Sequence, residues 1–284
     1  MKITEEKNYD IIFLGLAKNV FNTIGNFFKS CEATYKRGLK VCVIIGENGS
    51  SDNTRKFLEN LKIDNLSFYF IKTDFLDSYK NRIVRLTHGR EFLRKYIIKN
   101  KISSKYVSVI DLDTVIAKGF NIDEYLKTIE ILEKNKQNLF AVSSKSKPYY
   151  YDMLPLIIKD YFEHDVYKIQ TTFNPLNFYK VRKNYVYQFQ EKVTKMRDVL
   201  TLSSHNGLTT YYYKYFINGS YLSNEKDTIK SEHINFNLSI HNKTNKYILM
   251  TNKLNLLTPP EHMPLKLFEF VKRTLFKYLL LKLK

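Results

Sequence analysis

The chain has 284 residues, 44% apolar and 15% aromatic, which is enough to build a substantial core and excludes a globally disordered chain. With 46 Lys and Arg against 28 Asp and Glu, its formal charge of +18 favours anionic partners: nucleotide phosphates, nucleic acid or an acidic membrane surface. Cys31 and Cys42 are the only cysteines, which excludes a disulfide framework and a cysteine-rich metal site.

A reducing, cytoplasmic setting fits this cysteine usage. The opening MKITEEKNYD lacks the apolar core of a signal peptide, and no run of about 18 apolar residues suggests a membrane span, so any membrane contact is expected to be peripheral. Asp10 to Leu16 (DIIFLGL) reads as a first buried strand, broken at Ala17-Lys18-Asn19. Val20, Ile24, Phe27, Phe28 and Cys31 recur at helical spacing as far as Tyr35, and Arg37-Gly38 supplies the stop. A second strand, Lys40 to Gly46, runs into the loop Glu47-Asn48-Gly49-Ser50-Ser51-Asp52-Asn53-Thr54, where Ser51 or Asp52 is predicted to cap a helix from Thr54 to Leu61. Leu66 to Lys72 is a third strand, and Asp74 to Arg82 is turn-like. A basic helix follows, in which Ile83, Leu86, Leu93, Tyr96 and Ile97 interleave with Arg82, Arg85, Arg90 and Arg94.

That helix leads into YVSVIDLDTVIAKGF, Tyr106 to Phe120. Tyr106, Val107, Val109 and Ile110 suit a strand covered on both faces of a parallel or mixed sheet. Asp111 and Asp113 arrive where the strand runs out, and an extended backbone aims both to the same side. In open α/β sheets, ligands bind in the crevice beyond the carboxyl ends of the strands. Two carboxylates there repel unless a cation or proton intervenes, and a divalent metal is the simplest resident. The alternation of strands and helices up to this point predicts a Rossmann-like, doubly wound α/β unit, although no G-x-G-x-x-G follows the first strand.

Ile122 to Leu132 is predicted helical and Leu139 to Ser144 extended. The pattern then becomes irregular, with Pro148 and Pro155 among many aromatics, which places a soft boundary near Ser144 without any linker composition. Glu232-His233 precedes the alternating Ile234, Phe236, Leu238 and Ile240, so a strand or strand-helix edge is expected there.

The ordered combination of a strand, an E-N-G-S-S-D-N-T loop, a basic helix and a strand ending D-L-D resembles the nucleotide-binding half of GT-A glycosyltransferases, over Tyr9 to Leu126. Within that fold it is similar to the capsule-associated α-1,3-mannosyltransferase family, whose E-N-x-S-x-D-x-T loop is matched by Glu47, Asn48, Ser50, Asp52 and Thr54. Fainter likenesses are Arg82 or Arg85 with Gly89-Arg90, where Glu91 replaces an expected Asn, and Tyr150-Tyr151-Asp152. Phe173-Asn174-Pro175 stands where that family has Phe-Gly-Gly, and Glu232-His233 supplies its late Glu-His.

The resemblance implies a GT-A-like mixed sheet flanked by helices, with an irregular acceptor-side C-terminal half. One domain would span residues 1–264, with a nucleotide-sugar-binding half at 1–144 and an acceptor-side half at 145–264. Glu47 would lie near the base or ribose, and Asn48, Asp52, Arg85 and Arg90 would also contact the nucleotide sugar. Asp113 would ligate Mn²⁺ or Mg²⁺ bridging the diphosphate, Asp111 would hold the ribose or the metal, and His233 would be a further protein ligand. Glu232 would be the base of an inverting reaction or a positioning group in a retaining one, with His205 and Asp198 as lesser alternatives. The implied reaction moves a hexose from GDP-mannose or a UDP-hexose to a glycan or lipid-linked acceptor, with no nucleic-acid partner.

Two rivals use the same residues. Asp111-Leu112-Asp113-Thr114-Val115 fits the D-x-D-x-[TV] motif of haloacid-dehalogenase-like phosphatases, with Asp160 and Asp165 as a late acidic pair, but that motif normally ends the first strand of its domain. The charge together with 22 Tyr and 20 Phe suits a nucleic-acid-binding protein, although the cations are spread along the chain and no known reading motif is present. Finally, residues 265–284 (LKLFEFVKRTLFKYLLLKLK) place Phe268, Val271, Leu275 and Leu279 on one stripe beside six Lys and Arg, a basic amphipathic helix suited to an anionic membrane surface.

Overall fold

Ile11 and Phe13 of strand β1 (Lys7–Ala17) enter one apolar cluster, and Ile12 and Leu14 enter another on the opposite face of the sheet. A strand buried on both faces needs helices on both sides, and the chain supplies them. The computed structural model describes residues 7–163, 166, 175–222 and 231–273. Helices α1 (Phe21–Lys36), α2 (Thr54–Asn60) and α4 (Ile122–Lys134) bring apolar residues to the face of Ile11 and Phe13. Helix α3 (Arg82–Lys99) and the later α8 (Glu232–Thr244) do so on the face of Ile12 and Leu14. Phe13 anchors the first cluster, with ring centroids 6.0 Å from Phe27 and 5.5 Å from both Phe120 and Tyr125.

Strands β2 (Val41–Glu47), β3 (Ser67–Lys72), β4 (Ile102–Asp111), β5 (Leu139–Lys147), β6 (Val199–Thr201), β7 (Leu208–Tyr212) and β8 (Tyr247–Leu257) join β1 in one sheet of order β3-β2-β1-β4-β7-β5-β8-β6. β1 to β4 are mutually parallel, β7 runs antiparallel between β4 and β5, and β8 pairs parallel with β5. The expected mixed α/β sheet flanked by helices is therefore present. The half read as irregular still contributes β6, β7 and β8 to it, and β5 runs through the soft boundary at Ser144 as far as Lys147. Before β6 come α5 (Pro175–Arg182) and α6 (Gln188–Lys195), joined by a π turn, and the short α7 (Tyr213–Phe216) directly follows β7. Buried Lys145 ties this region to β5, its Nζ donating to the carbonyls of Val193 (2.7 Å) and Thr194 (3.3 Å) at the end of α6.

From β1 the chain first winds outward to β2 and β3, then returns through α3 to place β4 on the other side of β1. β1 and β4 stay paired to their carboxyl ends, Leu16 opposite Asp111, and the crevice expected where the strand order reverses opens beyond them. One sequence expectation is corrected in this layout. Glu232 to Ile240 is helix rather than strand, because Phe236 and Ile240, four residues apart, pack together while the intervening Asn237 is also buried. The Asn237 side chain accepts from Tyr211 Oη (2.9 Å) and donates to Ser203 Oγ (3.1 Å), so a polar residue in an apparent alternation lies inside the protein. Asn245 ends the helix in the left-handed conformation (φ 54°), its N–H bonded to His241 O.

Candidate active site

The ends of the parallel strands open onto a cavity of about 440 Å³. β1 contributes Leu16 and Ala17, the end of β2 leads to Asn48, and β4 ends in Asp111, followed by Leu112 and Asp113. α3 brings Arg82, Ile83, Arg85, Leu86 and Arg90, and α8 brings Glu232 and His233 at its first turn. The acceptor-side half adds Tyr151, Asp152, His205 and His262.

Arg90 is the keystone of the polar floor. Gly89 precedes it on α3, where a Cβ would stand 2.8 Å from a methyl of Leu16 and 3.0 Å from one of Leu76, so any side chain there would force those leucines to shift. The buried guanidinium then donates from Nη2 to Asp111 Oδ1 at 2.7 Å and from Nε to Glu232 Oε1 at 3.1 Å. Tyr151 Oη donates to the other Asp111 oxygen at 3.2 Å. Burial opposes ionisation of Asp111, but His205, Arg90 and His233 beside it outweigh that and hold its carboxyl well below the usual range. Asp113 lies exposed to the cavity, capping a 3₁₀ turn through Val115 N–H (3.1 Å), and burial together with the Asp111 charge raises its carboxyl to about 6. Asp152 is bonded to the Asn206 N–H at 3.3 Å, and burial with the charges of Asp111 and Glu232 pushes its carboxyl well above the usual range.

A turn through Asn206 and Gly207, both at positive φ (53° and 88°), swings His205 under β4. Gly207 O accepts the Asp111 N–H at 2.8 Å, which fixes the turn against the strand end. His205 and His233 stack with ring centroids 3.7 Å apart and planes at 15°, and one donor atom from each and one from Asp111 lie within 4.8 Å of one another. Among the described residues, His205 Nε2 and both nitrogens of His233 are buried without a hydrogen-bond partner. Unpartnered imidazole nitrogens converging with a carboxylate fit a divalent cation, which would satisfy lone pairs that otherwise cost free energy. Burial, with help from His205 and Arg90, pushes the His233 imidazolium well below its usual range, leaving the neutral form that binds metals.

Among the sequence candidates, Asn48, Arg85, Arg90, Asp111, Asp113, Glu232 and His233 line this cavity. Arg85 donates to Tyr79 O at 3.2 Å and 3.0 Å, and the Asn48 amide donates to Asp77 at 3.1 Å. Glu47 and Asp52 are not among its lining residues. Glu47 is fully buried, accepting the Ser50 N–H at 2.6 Å and pairing with Arg55, which also reaches Asp74. Asp52 accepts from Thr54 N–H (2.9 Å) and Phe21 N–H (3.1 Å), tying the starts of α2 and α1 together. Asp113 lies outside the three-residue donor cluster, where His205 stands instead. The sequence offers His205 only as a lesser alternative; the Asn206-Gly207 pair directly after it is the local signal that could have drawn attention to it. Asp198 is engaged by Thr251 Oγ1 (2.7 Å) and Asp160 is exposed; neither lines the cavity, and Asp165 lies outside the described residues.

No protein-family model matches the chain. A segment of 137 residues, 47% of the chain, is 28% identical to reticulocyte-binding protein homolog 1 of Plasmodium falciparum, of which it covers 4%. Among solved structures, the chain is similar to S. aureus TarS 1–349 in complex with UDP-GlcNAc, at 10% identity and a TM-score of 0.49, covering 89% of this chain and 60% of that one. It is also similar to glucosyl-3-phosphoglycerate synthase from Mycobacterium tuberculosis in complex with phosphoglyceric acid, at 13% identity and a TM-score of 0.49, covering 92% and 75%. A third likeness is to the mannosyltransferase PcManGT from Pyrobaculum calidifontis in complex with GDP-Man and Mn²⁺, at 10% identity and a TM-score of 0.48, covering 89% and 58%.

Proposed function

We propose that the chain is a metal-dependent, GT-A-like glycosyltransferase that moves a hexose from a nucleoside-diphosphate sugar to a glycan or lipid-linked acceptor. The observation that carries this reading is the convergence of Asp111, His205, His233 and Arg90 at the carboxyl ends of β1 and β4, in a cavity that also holds acids from the acceptor-side half. A divalent ion held by Asp111, His205 and His233 would supply neutralisation of the charge that builds on the departing diphosphate.

The chain's own groups divide the remaining work. Leu16, Val20, Leu76, Ile83 and Leu86 give the cavity apolar lining suited to the flat face of a base, and Asn48 lines the same cavity. Lys18, Arg82 and Arg85 bring positive charge to the same lining, where the phosphates are drawn in. Arg90 holds Asp111 and Glu232 in fixed positions, so an oxygen of Glu232 is already spent on the guanidinium. Among the described residues Asp152 has no such ion pair and accepts from one backbone N–H, so we assign the acceptor-proton role to Asp152 and a positioning role to Glu232.

The test is a panel of nucleotide sugars, GDP-mannose and UDP-hexoses included, with and without Mn²⁺, read by donor hydrolysis and by thermal shift. Metal-dependent turnover of one donor is the expected result. Silence of every donor in both readouts would overturn the reading. The phosphatase reading finds no support in the placement of Asp160, and Asp111 lies at the end of the fourth strand rather than the first.

A further inference from the structure

Lys18 brings positive charge to the cavity lining, yet its ammonium is already paired with an anion of the chain itself. It follows the end of β1, and its Nζ donates to Asp77 Oδ1 at 2.8 Å. The same oxygen accepts from the Asn48 amide at 3.1 Å and lies 3.8 Å from Arg85 Nη1. Three groups that line the cavity, from the ends of β1 and β2 and from α3, thus converge on one oxygen of a carboxylate that is not itself among the lining residues. Asp77 belongs to the 3₁₀ turn Asp74–Ser78, whose buried Leu76 forms part of the cavity wall. Asp74 pairs with Arg55, and the Thr73 N–H just before the turn donates to Glu47 O at 2.7 Å, so the backbone carrying Asp77 is fastened independently of Lys18.

The three contacts are unequal. Arg85 is held by Tyr79 O through Nε and Nη2, and its Nη1 stands beyond hydrogen-bond distance of Asp77. Asn48 is buried and neutral. Lys18 is the exchangeable member, a point charge on a flexible stem, with its side chain 38% exposed and that of Asp77 51%. So exposed a pair is weak, and a diphosphate carries more negative charge than one carboxylate. Lys18 above all, with Asn48 and Arg85, holds the Asp77 carboxyl below its usual range, so it is fully charged at neutral pH. We propose that Asp77 is a built-in counter-anion: it engages the Lys18 ammonium, and the phosphates of an incoming nucleoside diphosphate must take Lys18 from it. The inference rests on the nucleotide-sugar reading above, in which Lys18 and Arg85 meet the phosphates. Asp77 acts through Lys18 without touching the donor. It lowers the affinity for the diphosphate product as well as for the donor, since both need the same cation.

Binding of UDP, GDP, uridine and guanosine to the full chain with Mn²⁺ tests this, by calorimetry for the diphosphates and by ligand-observed nuclear magnetic resonance for the nucleosides. Asp77→Asn removes the charge but keeps the size and an acceptor for the Asn48 amide, and at a half-exposed position it leaves the core intact. At low salt it should tighten whichever diphosphate binds by about two- to fivefold, with the gain shrinking as salt is added, and leave the matching nucleoside unchanged. Lys18→Met should weaken the diphosphate more in the Asp77→Asn background than in the wild type, because no carboxylate then competes for the ammonium. A nucleoside that gains as much as its diphosphate, or equal losses from Lys18→Met in the two backgrounds, would overturn the inference. Diphosphate binding that is unchanged or weaker in Asp77→Asn would overturn it while leaving the nucleotide-sugar reading in place. No binding of either diphosphate to any variant would overturn both.

Discussion

Asp113 and Asp152 are carboxyl groups placed where charge is unwelcome, and that placement has consequences in opposite directions for stability and for function. In the metal-free protein the Asp113 carboxyl sits at about 6, against about 4 for a free aspartate. The folded state therefore holds its proton more tightly than the unfolded state. The associated stability is complete below about pH 4 and is lost as pH rises through about 6, because the unfolded chain ionises first. Asp113→Asn should flatten that decline, so its melting temperature without metal should fall less than the wild type's between pH 4 and 7; parallel melting curves would refute the assignment. Asp152→Asn should lower kcat by about 10²- to 10⁴-fold with donor affinity retained, as for loss of a general base. Glu232→Gln, which breaks the pairing with Arg90, should instead weaken donor or metal binding. A kcat loss confined to Glu232→Gln would return the base to Glu232.

At the level of elements, the site depends on how closely α3 lies against β1. Gly89 sets that distance, and Arg90 next to it carries the two ion pairs that fix β4 to α8. Gly89→Ala adds a methyl into Leu16 and Leu76, which overpacks by about 1–3 kcal/mol and is offset by up to about 1 kcal/mol of helix propensity. The net loss in stability is small, yet the displacement falls on Arg90. We expect the variant to stay folded at 25 °C by circular dichroism while losing most of its Mn²⁺ affinity. Wild-type metal affinity in Gly89→Ala would show that the contact is packing alone. The acidic loop illustrates the converse, since Glu47 is held inside by Ser50 and Arg55 and so shapes the turn that leads Asn48 to the cavity.

Across the whole molecule, the positive charge and residues 265–284 bear on where the protein works. No helix among the described residues is long and apolar enough to cross a membrane. Residues 267–273 are helical; Phe270 is buried with its ring 5.2 Å from Tyr179, whereas Phe268 is 78% exposed, and residues 274–284 lie outside the described residues. Phe270, outside the predicted stripe, thus packs on the protein, while Phe268 and Val271 of the stripe face outward. If the outward face meets lipid, burying Phe268 contributes about 1.5–3 kcal/mol. The full chain should then co-sediment with vesicles of anionic lipid at low salt, and Phe268→Ser should lower the partition constant about tenfold or more. Equal partitioning of the two proteins would leave the segment as a packing element only.

The sequence by itself determined the first four strands and their helices, because burial on both faces demands continuous apolar runs such as those of β1 and β4, and helices carry a spacing that can be counted. It also put Asp111 and Asp113 at a strand end, and Arg90, Glu232 and His233 among the residues to watch. Tertiary structure alone decided which of these groups meet. Arg90 and Glu232 are 142 positions apart and Asp111 and Tyr151 are 40 apart, and what joins them is the strand order, which no local pattern encodes. The helix at Glu232 was hidden for a related reason: its buried Asn237 is satisfied by Tyr211 and Ser203 from elsewhere in the chain, so a polar residue inside looked like one outside. The same holds for Glu47, turned inward by an arginine eight residues on. A side chain's partner depends on what the fold brings within about 3 Å, and the sequence records only its chemistry.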